Sequence, residues 1–580
     1  LTSRLKAAGV GVVAYYSVNT DLRASLEHPD WTQVDAAGKP LLTEGRWRDV
    51  CFNSPYFRQL MLPQIRELTE NYDIDGFWLD MVRIMPDGCF CPHCRKLFEQ
   101  RFGRRLSADD EKFDEFRRQT LVEAMTEVRR LIRSIRPDVL ITANGAGTIA
   151  DHEGLVSLSR RHGQGLVDYS TIEAQPGYGN YYYVGFQSRY ARCLGRPYEL
   201  LNARFIRKWG EWTAKPLPQM MYEAAVMLSS GGRVAFGDQP NPDGTMESTV
   251  YDRFGELFSF LAERQGYMQQ TEPVVDTAVL FTDGIADATR GADAVCCDLN
   301  LQHDLIDAPA LENLSRYRLL IIPETGRIDP SALARIEAFA RSGGAVLVTG
   351  RAAADNDMQA VLGASVESSR DYSIGYLPAD TLECPGIPLL IAAPPYKIAP
   401  GQADTLAELQ LPSCEPTPQR FVSHIYANPG RPAGRPAITL NTLGEGRAAY
   451  VGFDLFAVYW LRNHWWIKAL AARCLDELRF QPTVKVSADG VVQSNLRRRG
   501  DDLYLHLVGF CGGLATGGGY PPMEHVPNLR DVAVELQLNS QPKSVTLQPG
   551  GGRVSCEYNA GRLYAKIDRL RLYEVLRIEM

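Results

Sequence analysis

Through the first 270 residues of this chain, short apolar runs that end on a polar side chain recur, each followed by a helical pattern. The clearest is Gly76-Phe77-Trp78-Leu79-Asp80, preceded by Tyr72-Asp-Ile-Asp75. Four apolar residues with helical periodicity on both sides read as a strand buried on both faces of a parallel sheet. In α/β barrels the carboxyl ends of such strands carry the chemistry, so an acid at this position is a candidate for it. The competing role for Asp80 is local: capping the next helix, or pairing with Arg83.

Six further runs follow the same rule. They are Gly11 to Ser17, Asp49 to Asn53, Val139 to Asn144, Leu166 to Glu173, Tyr198 to Ala203 and Gly232 to Asp238. Between them lie helical stretches, among them Ser54-Pro55 onward to Asn71, where Ser caps and Pro opens the helix, and Phe113 to Arg136. Alternation of this kind predicts a parallel sheet with helices outside it, here a (β/α)8-type barrel over residues 1–270. Seven strands are expected where a closed ring needs eight. The chain opens in what reads as the end of a helix, so the expectation is that the first βα unit is absent from it.

From 271 to 480 buried strands (Asp276 to Phe281, Tyr317 to Pro323, Ala345 to Thr349, Ala448 to Phe453) alternate with helices, including an aromatic one from Trp460 to Leu478. This is the pattern of a doubly wound α/β domain, without the glycine-rich loop that cradles a phosphate. From 481 to 580 the period becomes two, as in Asp502 to Val508 and Leu570 to Leu576, which predicts an antiparallel β-sandwich.

Composition excludes several classes. A net charge of -7 with no dominant basic patch argues against a nucleic-acid partner. No apolar run reaches the length of a membrane span, and no leader-like segment opens the chain. Twelve cysteines in 580 residues, some of them in apolar stretches (Cys193, Cys474), do not form a disulfide framework. The reading is a reduced, cytoplasmic protein. Cys89, Cys91 and Cys94, with Cys51 at another strand end, offer four soft ligands of the kind that hold structural zinc. The tight spacing favours the alternative, reduced thiols packed under a helix that starts near Pro92, so no metal and no cofactor is assigned.

The strand ends carry Tyr15, Tyr16, Asn53, Asp80, Arg83, Asn144, Glu173, Asn202, Arg204 and Asp238. Asp80 and Glu173 should lie two strands apart. Trp78, Tyr178, Tyr181 to Tyr183, Trp209 and Trp212 add aromatic faces. Paired carboxylates beside aromatic platforms suit sugar chemistry: one attacks the anomeric carbon, the other donates a proton to the leaving oxygen. Those jobs require one ionised and one protonated group. Asp80 is expected as nucleophile and Glu173 as proton donor. Tyr16, Asn53, Trp78, Arg83, Asn144, Asn202, Arg204 and Asp238 are expected to bind substrate. Glu199, inside a strand, reads as the partner of an arginine, and Glu44 as a loop acid within reach of the site.

The Tyr72 to Asp80 motif, with Cys91-Pro-His-Cys94 and Phe98-Glu-Gln-Arg-Phe-Gly103 after it, resembles glycoside-hydrolase barrels similar to the α-L-fucosidases of families 29 and 151. The segment from Asp276 to Leu478 resembles the β-galactosidase trimerisation domain, a glutamine-amidotransferase-like (flavodoxin-like) fold that lacks the catalytic residues. The resemblance implies a retaining exo-glycosidase with Asp80 on the fourth strand, a glycoside or oligosaccharide substrate, and a homo-oligomer. Leu79 stands where family 42 β-galactosidases carry the Asn of an Asn-Glu pair, which argues against plain β-galactosidase activity. Other exo-glycosidases (a β-galactosidase or an arabinosidase) and a non-catalytic sugar-binding barrel are the alternatives.

Overall fold

The computed structural model describes the chain except for residues 1, 44, 150–154, 176, 178, 179, 207, 208, 283–286, 384, 385, 423 and 511–521. Glu44 and Tyr178 therefore lie outside the described residues. The chain divides into two units. One comprises Leu1–Ala174 with Tyr190–Leu201, the other Gln175–Arg189 with Asn202–Met580.

In the first unit, strands β1 (Val13–Ser17), β2 (Gly76–Asp80) and β3 (Leu140–Ala143) form a parallel sheet in that order. Register is set by the pairs Tyr15 with Trp78, Ser17 with Asp80, and Trp78 with Thr142. The isolated parallel bridge of Asn144 to Thr171 leads on to β4 (Ser170–Glu173), which pairs in parallel with β5 (Tyr198–Ala203), a strand whose last residues belong to the second unit. Asp80 and Glu173 thus end strands two places apart, as the sequence predicts.

Alternation does the sorting. Phe77, Leu79, Ile141 and Ala143 are buried in one core with Ile65, Leu121, Met125, Val128 and Ile132. Those partners come from helices α1 (Leu62–Asn71), which continues a π-helical turn over Phe57–Met61, and α2 (Phe113–Ile135). Trp78, Asp80 and Thr142, of opposite parity, face the other way. In α2 the buried residues recur at three- and four-residue steps, which makes one apolar stripe against the sheet.

Two expectations are corrected. Asp49 to Asn53 is not a strand of this sheet, since β1 pairs directly with β2. Its apolar look has another cause: Val50 and Phe52 pack into the core, Cys51 joins a thiol cluster, and Asp49 and Val50 make only isolated bridges to Thr20 and Thr32. The described residues also show no closed ring of strands. On its outer side β1 has no strand neighbour among them, and Val13 and Tyr15 are 47% and 61% exposed.

In the second unit, five parallel strands run in the order His303–Ile306, Thr277–Leu280, Leu319–Ile322, Ala345–Thr349, Gly446–Val451, and antiparallel strands continue the sheet to nine. The expected single helix from Trp460 is two, Leu455–Arg462 and Trp466–Glu477. Asn463, left-handed at φ 56°, ends the first and breaks the run. The last 100 residues form antiparallel sheets of six and four strands over a shared apolar core, the six-stranded one including Glu272–Pro273 at its edge. No helix among the described residues is long and apolar enough to cross a membrane, and no disulfide links the described cysteines.

At the carboxyl ends of the parallel strands, Glu324 is buried and accepts hydrogen bonds from Thr349 Oγ1 at 2.8 Å and from the amides of Phe456 and Ala457 at 3.1 and 3.3 Å. A side chain at Gly350 (φ 51°) would meet Asp454 Oδ1 at 2.2 Å and Glu324 Cγ at 2.6 Å, so only glycine fits this turn. Burial, then the nearby Asp454 charge, pushes the Glu324 carboxyl up to about 7. Protonated Glu324 suits the folded state, so its contribution is present at acid pH and lost as pH rises from about 4.5 through about 7. Urea midpoints recorded from pH 4.5 to 8 should show Glu324→Gln removing a fall of about 3 kcal/mol across that window. An unchanged pH dependence would refute the assignment.

Candidate functional site

The rim of the first unit gathers Tyr15, Asp80, Asn144 and Glu173. Asp80 is buried and its two oxygens are held differently. Oδ1 accepts from Asn144 Nδ2 at 2.9 Å and from the Met81 amide at 2.8 Å. Met81 itself adopts a left-handed conformation, φ 58°, which costs about 1–2 kcal/mol. Oδ2 accepts from Tyr15 Oη at 2.5 Å. Burial around its hydroxyl, the Asp80 charge and hydrogen bond, and the Glu173 charge together hold the Tyr15 phenol far above its ordinary value, so it stays a proton donor.

Asn144 Nδ2 also donates to Glu173 Oε1, at 3.1 Å. One amide nitrogen therefore bridges the two carboxyl groups, whose bonded oxygens lie no more than about 6 Å apart. Beneath this pair, Trp78 stacks on Tyr15, with ring centroids 5.6 Å apart and planes at 19°. Trp78 Nε1 donates to Glu199 Oε1 at 3.2 Å, and Thr171 Oγ1 donates to the same oxygen at 2.8 Å. Glu199, expected to pair with an arginine, instead has tryptophan and threonine as its hydrogen-bond donors.

The remaining expected residues are engaged elsewhere. Tyr16, of opposite parity to Tyr15, donates to Gln64 Oε1 at 2.7 Å, and its phenol is pushed up to about 12 by burial. Asn53 Nδ2 bonds Cys94 Sγ and Thr120 Oγ1. Arg83 reaches Asp49 Oδ2 at 3.3 Å and Thr43 Oγ1 at 2.7 Å. In the second unit, Asn202 is fully buried between Lys215 Nζ at 2.6 Å and Glu223 Oε2 at 2.6 Å. Arg204 and Asp238 are ion-paired to each other at 2.6 Å, Arg204 also to Glu247 at 3.0 Å. Gly237 is where a side chain would strike the Trp209 ring, at 2.4 Å. Tyr15 is one of the strand-end residues but not one of the expected substrate binders, and Glu199 is expected to pair with an arginine; both are hydrogen-bonded in this group.

Cys51, Cys89, Cys91 and Cys94 are all buried, and their four sulfurs lie within 4.8 Å of one another. Cys51 and Cys94 are 3.3 Å apart. A tetrahedral zinc with bonds of about 2.3 Å sets its sulfurs about 3.8 Å apart, which this cluster matches. Backbone amides of Asn53, Cys91 and Cys94 point at the sulfurs of Cys51, Cys89 and Cys91 at 3.4 Å, the outer hydrogen bonds that support metal thiolates. Hydrogen bonds from the other three thiols pull the Cys91 thiol strongly down, while those around Cys51 push it up. The four thiols fit zinc as a structural ion; with every ligand position filled by sulfur, none is open for substrate.

A family model described as "Hypothetical glycosyl hydrolase 6" matches residues 3–81, a span that ends one residue beyond Asp80. A search of curated proteins finds no match. Among solved structures, an α-L-fucosidase, isoenzyme 2 from Paenibacillus thiaminolyticus, superposes with a TM-score of 0.88 at 23% identity, covering 100% of this chain and 89% of that one. A β-galactosidase from Bacillus circulans sp. alkalophilus gives 0.71 at 16%, over 99% and 90%. Another from Rahnella sp. R3 gives 0.67 at 15%, over 100% and 90%. At these identities the likeness establishes a shared fold, that of glycoside hydrolases.

Elemental analysis of the purified protein should find about one equivalent of zinc, and its removal by a chelator should lower the melting temperature. Metal-free protein with the same melting temperature and four freely titrating thiols is the contrary result.

Proposed function

We propose that the protein is a retaining exo-glycosidase of α-L-fucosidase type, with Asp80 as nucleophile and Glu173 as acid and then base. The observation that carries this reading is the shared Asn144 nitrogen. Carboxyl groups about 5–5.5 Å apart suit a covalent glycosyl-enzyme route, whereas inverting enzymes need about 6.5–9.5 Å to admit a water between them. Oxygens bound to one nitrogen at 2.9 and 3.1 Å lie within about 6 Å of each other, short of the inverting range.

In the first step an oxygen of Asp80 bonds the anomeric carbon as the glycosidic C–O bond breaks, and Glu173 gives its proton to the departing oxygen. In the second, Glu173 takes a proton from water, the water oxygen bonds the anomeric carbon, and Asp80 leaves with its electron pair. Anomeric configuration is retained after two displacements. Asn144 and Met81 hold Oδ1, which leaves Oδ2, with its single phenolic donor, as the oxygen that attacks. A fucoside rather than a galactoside is supported by the fold likeness at 0.88 and by the aspartate at the strand end.

On a panel of nitrophenyl glycosides, the α-L-fucoside should be the best substrate. Asp80→Gly should lose at least about 10³-fold in kcat, with azide restoring part of it as a fucosyl azide of inverted configuration. Full activity in that variant would remove Asp80 from the mechanism. For Glu173→Ala, poor leaving groups should suffer far more than activated aryl ones. Equal losses would sink the proton-donor role.

A further inference from the structure

Glu199 has no part in the chemistry just described, yet it lies on the strand row that carries it. Register links Asn144 to Thr171 and Thr171 to Glu199 across β4 and β5. Its Oε1 receives both Trp78 Nε1 and Thr171 Oγ1. A carboxylate in mid-strand is costly unless donors meet it, and here the donors are an indole and a hydroxyl rather than a cation.

The indole matters because of what stacks on it. Tyr15 lies on β1, where its direct cross-strand partner is Trp78 and the two rings stack. That stack restrains the tyrosine ring. Trp78 in turn is held in one orientation by the bond from Nε1 to Glu199. The chain ends at the Tyr15 hydroxyl on Asp80 Oδ2, the oxygen to which Asn144 and Met81 do not bond.

We propose that Glu199 is a positioning residue for the nucleophile, fixing Trp78 so that Trp78 holds Tyr15 on Asp80 Oδ2. This rests on the reading of Asp80 as the nucleophile. An acceptor is required at Glu199, and the negative charge is not, so the amide isostere serves where an aliphatic side chain fails. Tyr15 fixes the position of Oδ2 through its hydrogen bond.

The test uses Glu199→Gln, Glu199→Ala and Tyr15→Phe, with the double variant of the last two, after confirming unchanged melting temperatures. Glu199→Ala should lower kcat by 10- to 50-fold, as an order of magnitude, with KM within about threefold. Tyr15→Phe should give a similar loss in kcat, the double variant should add little, and Glu199→Gln should stay within about threefold of wild type. Additive losses, a rise in KM in place of the fall in kcat, or equal damage in Gln and Ala would overturn the positioning role. If Glu199→Ala fails to fold, Trp78→Phe carries the same test, because it keeps a ring but removes the donor. A readout without turnover is the 19F resonance of 5-fluorotryptophan at Trp78, assigned by its loss in Trp78→Phe. It should shift and broaden in Glu199→Ala but not in Glu199→Gln, and an unmoved line refutes the link. Wild type that hydrolyses no glycoside overturns the nucleophile reading instead, and the fluorine signal tells that failure apart from this one.

Discussion

The site depends on one amide group that serves two acids. Two carboxylates with oxygens about 6 Å apart repel by about 3 kcal/mol at an effective dielectric of 20. Asn144 Nδ2 carries two hydrogens, and the geometry gives one to each carboxyl group. The Met81 amide and the Tyr15 hydroxyl add two more donors to Asp80. Four hydrogen bonds thus offset the repulsion, and none of the four donors is a cation. The arrangement needs Asp80, Asn144 and Glu173 on three successive strands with the same parity. The register of β2, β3 and β4 delivers that.

A second constraint acts on the backbone beyond Asp80. The long loop between β1 and α1 is organised around Asp49, a fully buried carboxylate that accepts from Thr20 Oγ1, Thr43 Oγ1 and Arg83 Nε. Asn19 Nδ2 holds the Arg83 carbonyl at 2.5 Å, and Gln33 Oε1 takes the Met85 amide. From there the chain enters the thiol cluster at Cys89. The segment that leaves Asp80 is therefore clamped within a few residues by an ion pair, by amide side chains and by four sulfurs. Arg83 belongs to this clamp, which gives a charged residue three positions from Asp80 a structural duty.

What was legible in the sequence follows from what burial writes into it. Gly76 to Leu79 is apolar because both faces of that strand are largely covered, and Ile141 and Ala143 are buried in the same core, so these strands and their polar ends could be read directly. Tyr15 and Tyr16 could not be told apart. No residue of β1 is fully buried on either face, and two consecutive tyrosines carry no parity. Asp49 to Asn53 deceived for the opposite reason. Val50 and Phe52 are buried as core and Cys51 as part of a sulfur cluster, which makes a loop look like a strand. The pairing of Arg204 with Asp238, and the Lys215, Glu223 and Asn202 group, were illegible as pairs. Each residue sits at a rim position, and nothing in its local pattern says that its partner is another protein side chain.

The length of the acid at position 80 is itself part of the design. Aspartate keeps its carboxylate one methylene closer to the strand than glutamate would, about 1.5 Å. At that distance it can take the amide of the very next residue, at 2.8 Å, and also the phenol of the cross-strand row below, at 2.5 Å. A glutamate would carry its oxygens past both donors. The length of aspartate is therefore what lets Oδ1 meet Asn144 and the Met81 amide while Oδ2 meets the Tyr15 phenol.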